Sequence, residues 1–271
     1  MKVSVIVAFY KDLEALSLVL ECLQRQTYSD IEIIIAEDDN NEKTKVFLQN
    51  YLHLNLKHIY HEDKGNRKII IQNKAIAIAS GEYLCFIDGD ILVYEKFVEN
   101  QVFLAKKKQI LSGRRVNLSL ELSQLIRKRK LKLEKLEKMF YFYVIKYFLF
   151  DKNSRWEQGI SLNPRGFLYK ILQKRKRNSE IIGCNWSCFK SDILAINGFN
   201  EDYGTNPVAT DTDLTWRFKA NGCTLRSSKN IANCFHLFHT VSEYKEKDRT
   251  LYNYNREKNL FIAKNGLNKY F

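Results

Sequence analysis

The 271-residue chain is 45% hydrophobic, with two prolines and a net charge of +13, which excludes a disordered chain and leaves ample material for a core. Six cysteines without zinc-finger spacing read as reduced core thiols, and the amino terminus lacks the length and cleavage site of a signal peptide, so the expected location is the cytoplasm. The charge is local: residues 113–178 hold 18 Lys/Arg against 5 Asp/Glu, which leaves the remainder neutral.

No internal repeat or linker composition divides the chain, which reads as one compact unit: a first half (1–113), a basic amphipathic insert (114–180) and a second half (181–271) with a helical tail. Residues 2–9 form a β-branched run, and 12–24 carry Leu13, Leu16, Leu20 and Leu23 at helical spacing. The pattern repeats with a strand at 31–36, a helix at 42–52, a strand at 57–60, a helix at 68–79, a strand at 83–87 and a helix at 95–107. Strands alternating with helices of this length predict an α/β fold, a Rossmann-like doubly wound, mostly parallel sheet flanked by helices. Residues 118–150 form one long basic amphipathic stretch with Leu131, Leu133, Leu136, Met139, Phe140, Tyr143 and Tyr147 as its apolar stripe. Its apolar run is far short of the roughly 20 residues a spanning helix requires. It fits either a helix with a solvated basic face or one lying on anionic headgroups. A strand-like segment follows at 183–189, then a helix through Leu194, a turn-rich stretch at 198–204, a helix beginning near Asp211 and Asp213, and an apolar run ending in His236 and His239.

Two strands stop on acids. The first leads into Glu37-Asp38-Asp39-Asn40-Asn41, where one residue of 38–41 is expected to cap the next helix. The second, Tyr-Leu-Cys-Phe-Ile-Asp-Gly-Asp at 83–90, delivers Asp88 and Asp90 to a strand end, where ligands bind in open α/β sheets. Oxygen ligands there suit a hard divalent ion, Mn²⁺ or Mg²⁺, while Asp-Gly after a strand also forms hairpin turns.

The order of these parts resembles glycosyltransferase family 2, the inverting nucleotide-sugar enzymes of the GT-A fold, with a galactosyltransferase-type region in the second half. The matching pieces are Val3 to Tyr10; Glu32 to Asn41; Arg67, Asn73, Lys74 and Ala75 ahead of Gly81 to Asp90; Ser112-Gly-Arg-Arg115; Gly183 to Ser187; Gly198 to Asp202; and Asp211-Thr-Asp-Leu. The basic insert is not covered. The resemblance implies that Asp38 and Asp39 contact uracil, that Asp88 and Asp90 hold the metal with Asp88 also reaching the ribose, and that Arg67 lies near the nucleotide. His236 and His239 then complete the metal shell, and Asp211 is the general base. Asn185, Trp186 and Asp213 become acceptor or sugar contacts, Trp186 either stacking on a sugar ring or serving as a core indole, and Arg114 and Arg115 either add charge beside the phosphates or belong to the basic surface. Thr210 stands where the family carries Glu before this Asp, which bears on acceptor geometry.

The implied activity moves a hexose or N-acetylhexosamine, galactose or N-acetylgalactosamine first, from a UDP-sugar donor to a saccharide acceptor in surface-polysaccharide synthesis. The basic insert suits a lipid-linked acceptor and a peripheral position on the anionic inner face of the membrane. Two rivals remain. A nucleic-acid-binding protein would use the basic runs at 127–130 and 174–177 but shows no recognition motif, and no nucleic acid is expected as partner. A nucleotidyltransferase shares the sheet and acids but would need a glycine-rich loop after the first strand, which is missing.

Overall fold

The computed structural model describes residues 1–148, 151, 153–173, 180–206, 208, 211–240 and 248–271. Its strands are β1 (Val3–Phe9), β2 (Ile31–Glu37), β3 (Leu56–Tyr60), β4 (Tyr83–Asp88), β5 (Ile91–Val93), β6 (Gln109–Ser112), β7 (Val116–Asn117), β8 (Asn185–Phe189), β9 (Thr224–Ser227) and β10 (Cys234–His236). The helices are α1 (Leu13–Gln24), α2 (Glu42–Leu48), α3 (Lys68–Ile78), α4 (Phe97–Leu104), α5 (Leu120–Arg127), α6 (Leu133–Lys138), α7 (Phe140–Tyr143), α8 (Phe167–Gln173), α9 (Lys190–Leu194), α10 (Thr212–Ala220) and α11 (Thr250–Glu257).

A seven-stranded sheet runs β3-β2-β1-β4-β8-β6-β9. The first four strands are parallel, as the alternation predicts, and β1 is buried along its whole length because helices cover both faces. One apolar cluster packs α1 and the insert on one face; the other packs α3 and α10 on the opposite face. The caps follow side-chain chemistry: Asp12 accepts from the Ala15 amide at 2.9 Å to start α1, and Asn41 accepts from Lys43 to start α2. Asn41 is therefore the cap among residues 38–41, and Asp38 and Asp39 are left for other work.

The second half departs from a simple βα repeat. Strand β8 inserts antiparallel between β4 and β6, and a three-stranded sheet, β5-β10-β7, lies beside the first. The hairpin reading of Asp88-Gly89-Asp90 is not what forms: β5 leaves the turn to pair with β10, not back on β4. Gly89 suits the turn because it lies close against β1. Its amide bonds the Ala8 carbonyl at 2.8 Å, and a Cβ would stand 3.2 Å from the Phe9 ring.

The insert is not one long helix. It breaks after α5, where Arg129 adopts φ 57°, and continues as α6, α7 and a π turn at Val144–Phe148. Ion pairs anchor the break: Arg127 to Asp12 at 2.7 Å, Arg129 to Glu21 at 2.5 Å, and Arg25 to Glu137 at 2.9 Å. Two of the insert's cations are therefore committed to α1. The basic run at 174–177 and the end of the amphipathic stretch at 149–150 lie outside the described residues.

Candidate active site

Parallel register brings the two acidic strand ends together. Glu37 pairs with Tyr60 and Ala8 with Asp88, so Asp38, His61 and Asp88 emerge at the same edge of the sheet. There they border a cavity of about 630 Å³ whose lining includes Asp38, Lys68, Asp88, Asp90 and His239. That volume lies within the range of small-molecule sites.

Asp38 is held on both sides. His61 Nε2 lies 2.6 Å from one carboxylate oxygen, and the Arg67 amide donates to the other at 2.8 Å. Asp39 is half-buried, and its carboxylate accepts the Asn40 amide at 2.7 Å. Asp88 binds the Lys68 ammonium at 2.5 Å. Burial would lower the Lys68 pKa, but Asp88, and with it Asp211, holds that ammonium above its ordinary value.

The antiparallel β5–β10 ladder places Asp90 against the end of β10, where its carbonyl accepts the Leu237 amide at 3.1 Å. The insert braces this strand end: Leu118 N–H donates to the His236 carbonyl, and Ser123 of α5 accepts from Phe238 N–H at 2.8 Å. As a result one Asp90 carboxylate oxygen faces His236 Nε2 at 3.2 Å and His239 Nε2 at 3.4 Å, and the two imidazole nitrogens are 3.2 Å apart. These three atoms form the cluster of described residues able to hold a metal ion. Metal–ligand bonds of about 2.1 Å put neighbouring ligand atoms about 3.0 Å apart in an octahedral site and about 3.4 Å apart in a tetrahedral one, so the triangle fits a first-row divalent ion. The other Asp90 oxygen is buried without a hydrogen-bond partner, as befits a carboxylate reserved for a cation. Burial acts to raise the Asp90 pKa, but His236, then His239 and Lys68, hold it below the ordinary carboxylate value.

Asp211 precedes α10, and its carboxylate accepts the Gly183 amide at 2.9 Å. It is not among the residues lining the cavity, but its charge acts on the Lys68 ammonium. Thr210 lies outside the described residues.

Several expected contacts are corrected. Trp186 is fully buried and stacks on Phe86 with centroids 4.0 Å apart, so it is a core indole and presents no face to a sugar. Asn185 is also buried, its amide donating to the Arg114 and Ala232 carbonyls at 3.0 and 3.3 Å, because β8 is an interior strand. Asp213 is buried against Arg217 at 3.2 Å and accepts the Tyr203 hydroxyl at 2.8 Å, which locks α10 and removes it from any acceptor. The Arg67 guanidinium turns to the Glu62 carbonyl, so its amide, not its charge, serves the site. Arg114 folds onto Ser112 and the Gly113 carbonyl, and Arg115 points at Cys184 Sγ at 2.9 Å; neither lines the cavity. Asp88 is not in the metal-ligand cluster; one of its carboxylate oxygens binds the Lys68 ammonium. The sequence reading missed His61 and Lys68. His61 directly follows β3 and Lys68 is the first residue of α3, both at the acidic edge, which was the available signal.

Comparison with known proteins gives the family and the fold. A family model described as "Glycosyl transferase family 2" matches residues 4–192. The chain belongs to glycosyl transferase family 2. A second model, described as the N-terminal domain of galactosyltransferase, matches residues 168–240 of this family 2 chain. Among curated relatives, the uncharacterized glycosyltransferase YibD of Escherichia coli is 32% identical over 38% of this chain and 30% of its own length. The amylovoran biosynthesis glycosyltransferase AmsB of Erwinia amylovora is 31% identical over 32% of this chain and 30% of its own length. The matched stretches thus span about a third of these relatives. In fold, the chain is similar to the mannosyltransferase PcManGT of Pyrobaculum calidifontis, solved with GDP-Man and Mn²⁺ (TM-score 0.57, 16% identity, 88% of this chain and 57% of that one). It is also similar to S. aureus TarS solved with UDP-GlcNAc (TM-score 0.58, 14% identity, 100% of this chain and 69% of that one). The architecture is that of GT-A glycosyltransferases.

Proposed function

We propose that this family 2 chain is an inverting, metal-dependent glycosyltransferase that moves a hexose or N-acetylhexosamine from a UDP-sugar to a hydroxyl of a saccharide acceptor. The observation that carries the reading is the convergence of Asp90, His236 and His239 on one point at the rim of a cavity that also holds Asp38 and Asp88. Two imidazoles with one carboxylate suit Mn²⁺ better than Mg²⁺, which favours an all-oxygen shell. Held there, the ion supplies positive charge against the leaving diphosphate.

The residues divide the remaining work. Asp38, held by His61 and the Arg67 amide, accepts from the uracil ring, and Asp39 stands beside it. Asp88 reaches the ribose hydroxyls. Asp211 takes the acceptor's hydroxyl proton as that oxygen bonds the anomeric carbon, while the bond to the diphosphate breaks and its electron pair leaves with UDP. Galactose and N-acetylgalactosamine are the preferred donor sugars, on the match at 168–240. N-acetylglucosamine and glucose stand behind them: one relative is named a UDP-Glc:alpha-D-GlcNAc-diphosphoundecaprenol beta-1,3-glucosyltransferase.

That name also supports a lipid-linked acceptor here, as does the insert. No helix among the described residues is long and apolar enough to cross a membrane. Yet Tyr141, Phe142 and Ile145 are 62%, 55% and 68% exposed, beside the exposed Lys138 and Lys146, a combination suited to an anionic lipid interface at the inner face of the membrane. Failure to float with anionic vesicles at moderate salt would remove this part.

The principal test is a hydrolysis screen across UDP-galactose, UDP-N-acetylgalactosamine, UDP-N-acetylglucosamine, UDP-glucose and GDP-mannose, with Mn²⁺ or with EDTA. The expected result is metal-dependent release of UDP from one UDP-sugar. Equal release in EDTA, or turnover of GDP-mannose alone, would sink the proposal.

A further inference from the structure

Four carboxylates, Asp12, Asp38, Asp88 and Asp90, line the cavity, and among its described lining residues Lys68 is the one lysine or arginine. A nucleoside diphosphate brings further negative charge into that space, so the cations available to it decide whether it binds. Arg127 is committed to Asp12 and Glu14, and Arg67, Arg114 and Arg115 turn to other partners. Lys68 is different in both place and reach. It is the first residue of α3, so its stem leaves the helix end that faces the strand tips. Its side chain is one quarter exposed, and its ammonium sits on Asp88. A lysine ammonium has three N–H donors, and Asp88 takes one.

We infer that Lys68 is the diphosphate ligand of this protein: one N–H stays on Asp88 while another binds an oxygen of the bound nucleotide's diphosphate. The inference rests on the nucleotide-sugar reading above. It gives Lys68 the task that the sequence suggested for Arg114 and Arg115. It also gives Asp88 a second one, since the carboxylate that reaches the ribose also fixes the cation that reads the phosphates. Because only the ammonium touches phosphate, Lys68 distinguishes a nucleotide from its nucleoside.

The experiment is calorimetric titration of UDP and of uridine, each with Mn²⁺, into the wild-type protein, Lys68→Met and Lys68→Arg. Lys68→Met is expected to weaken UDP by about tenfold or more, the worth of a charge-assisted hydrogen bond, and to leave uridine within about twofold. Lys68→Arg, which keeps the charge, is expected to stay within about threefold of wild type for UDP. Equal weakening of UDP and uridine by Lys68→Met would overturn the inference, because Lys68 would then act only by shaping the site through Asp88; so would unchanged UDP affinity. If the wild-type protein binds GDP but not UDP, the uracil reading fails, and the same comparison with GDP and guanosine still decides the role of Lys68.

Discussion

Replacing Asp213 with alanine separates a structural from an acceptor-binding role. In the fold, Arg217 spends its guanidinium on Asp213 at 3.2 Å, on the Gly198 carbonyl at 2.7 Å, on the Phe261 carbonyl at 3.0 Å and on the Ile196 carbonyl. Burial pushes the Asp213 carboxyl up and the Arg217 guanidinium down, so each charge is tolerated because of the other. Removing the carboxylate leaves a buried cation with only dipoles around it and takes an acceptor from the Tyr203 hydroxyl. Stranding one partner of a buried pair costs about 3–5 kcal/mol, and the three carbonyls that remain on Arg217 argue for the lower end, about 3 kcal/mol. That is a large share of a total stability of about 5–15 kcal/mol. Asp213→Asn keeps one acceptor and is expected to cost about half as much. Urea denaturation followed by tryptophan fluorescence measures both. A wild-type midpoint in Asp213→Ala, together with a raised acceptor KM, would refute the reasoning and return Asp213 to the acceptor site.

Three other outcomes follow from the geometry. Asp211→Asn can still accept the Gly183 amide, so it is expected to fold normally and to lose about 100-fold or more in kcat with donor KM little changed; unchanged kcat would mean that another group is the base. Glu32 lies buried at the opposite end of the sheet. Burial acts to raise its carboxyl, but bonds from Ser4, Ser80 and Lys57 hold it at about 2, against 4.5 without them. Its stabilisation is therefore complete above about pH 4.5 and lost as pH falls toward about 2, and after discounting the part-exposed Lys57 it amounts to about 2 kcal/mol. Urea midpoints of wild type and Glu32→Gln are expected to differ at pH 6 and converge near pH 2, and a constant gap would contradict this. Trp186→Ala is expected to destabilise the core by about 3–5 kcal/mol; a stable variant with raised KM for donor or acceptor would restore the sugar-stacking role.

The first half was legible because β1, β2 and β4 are mainly apolar runs and α1 has a periodic stripe, so 2–9, 31–36 and 83–87 could be placed within a residue or two. The second half was not. Strands β6, β7, β9 and β10 have two to four residues each, too short for any periodicity to register. The 183–189 segment was read as strand-like, but nothing in it showed that β8 would lie between β4 and β6, which makes Asn185 and Trp186 interior rather than ligand-facing. The break in the insert had no glycine or proline to announce it, since Arg129 takes the left-handed conformation while its guanidinium reaches Glu21. Asp38, Asp88 and Asp90 were visible as acids at strand ends. Of their partners, His236 and His239 were joined to Asp90 only by the family resemblance, since the β5–β10 ladder that brings them together leaves no periodic signal. His61 and Lys68 were missed, because they reach Asp38 and Asp88 through register and helix placement.

Calorimetric titration of Mn²⁺ into the wild-type protein and into Asp90→Asn, His236→Ala and His239→Ala tests the proposed metal centre most directly. One Mn²⁺ per chain is expected for wild type, with each substitution weakening it by more than about tenfold. Wild-type affinity in all three variants, or no binding to the wild-type protein even with UDP present, would contradict the account.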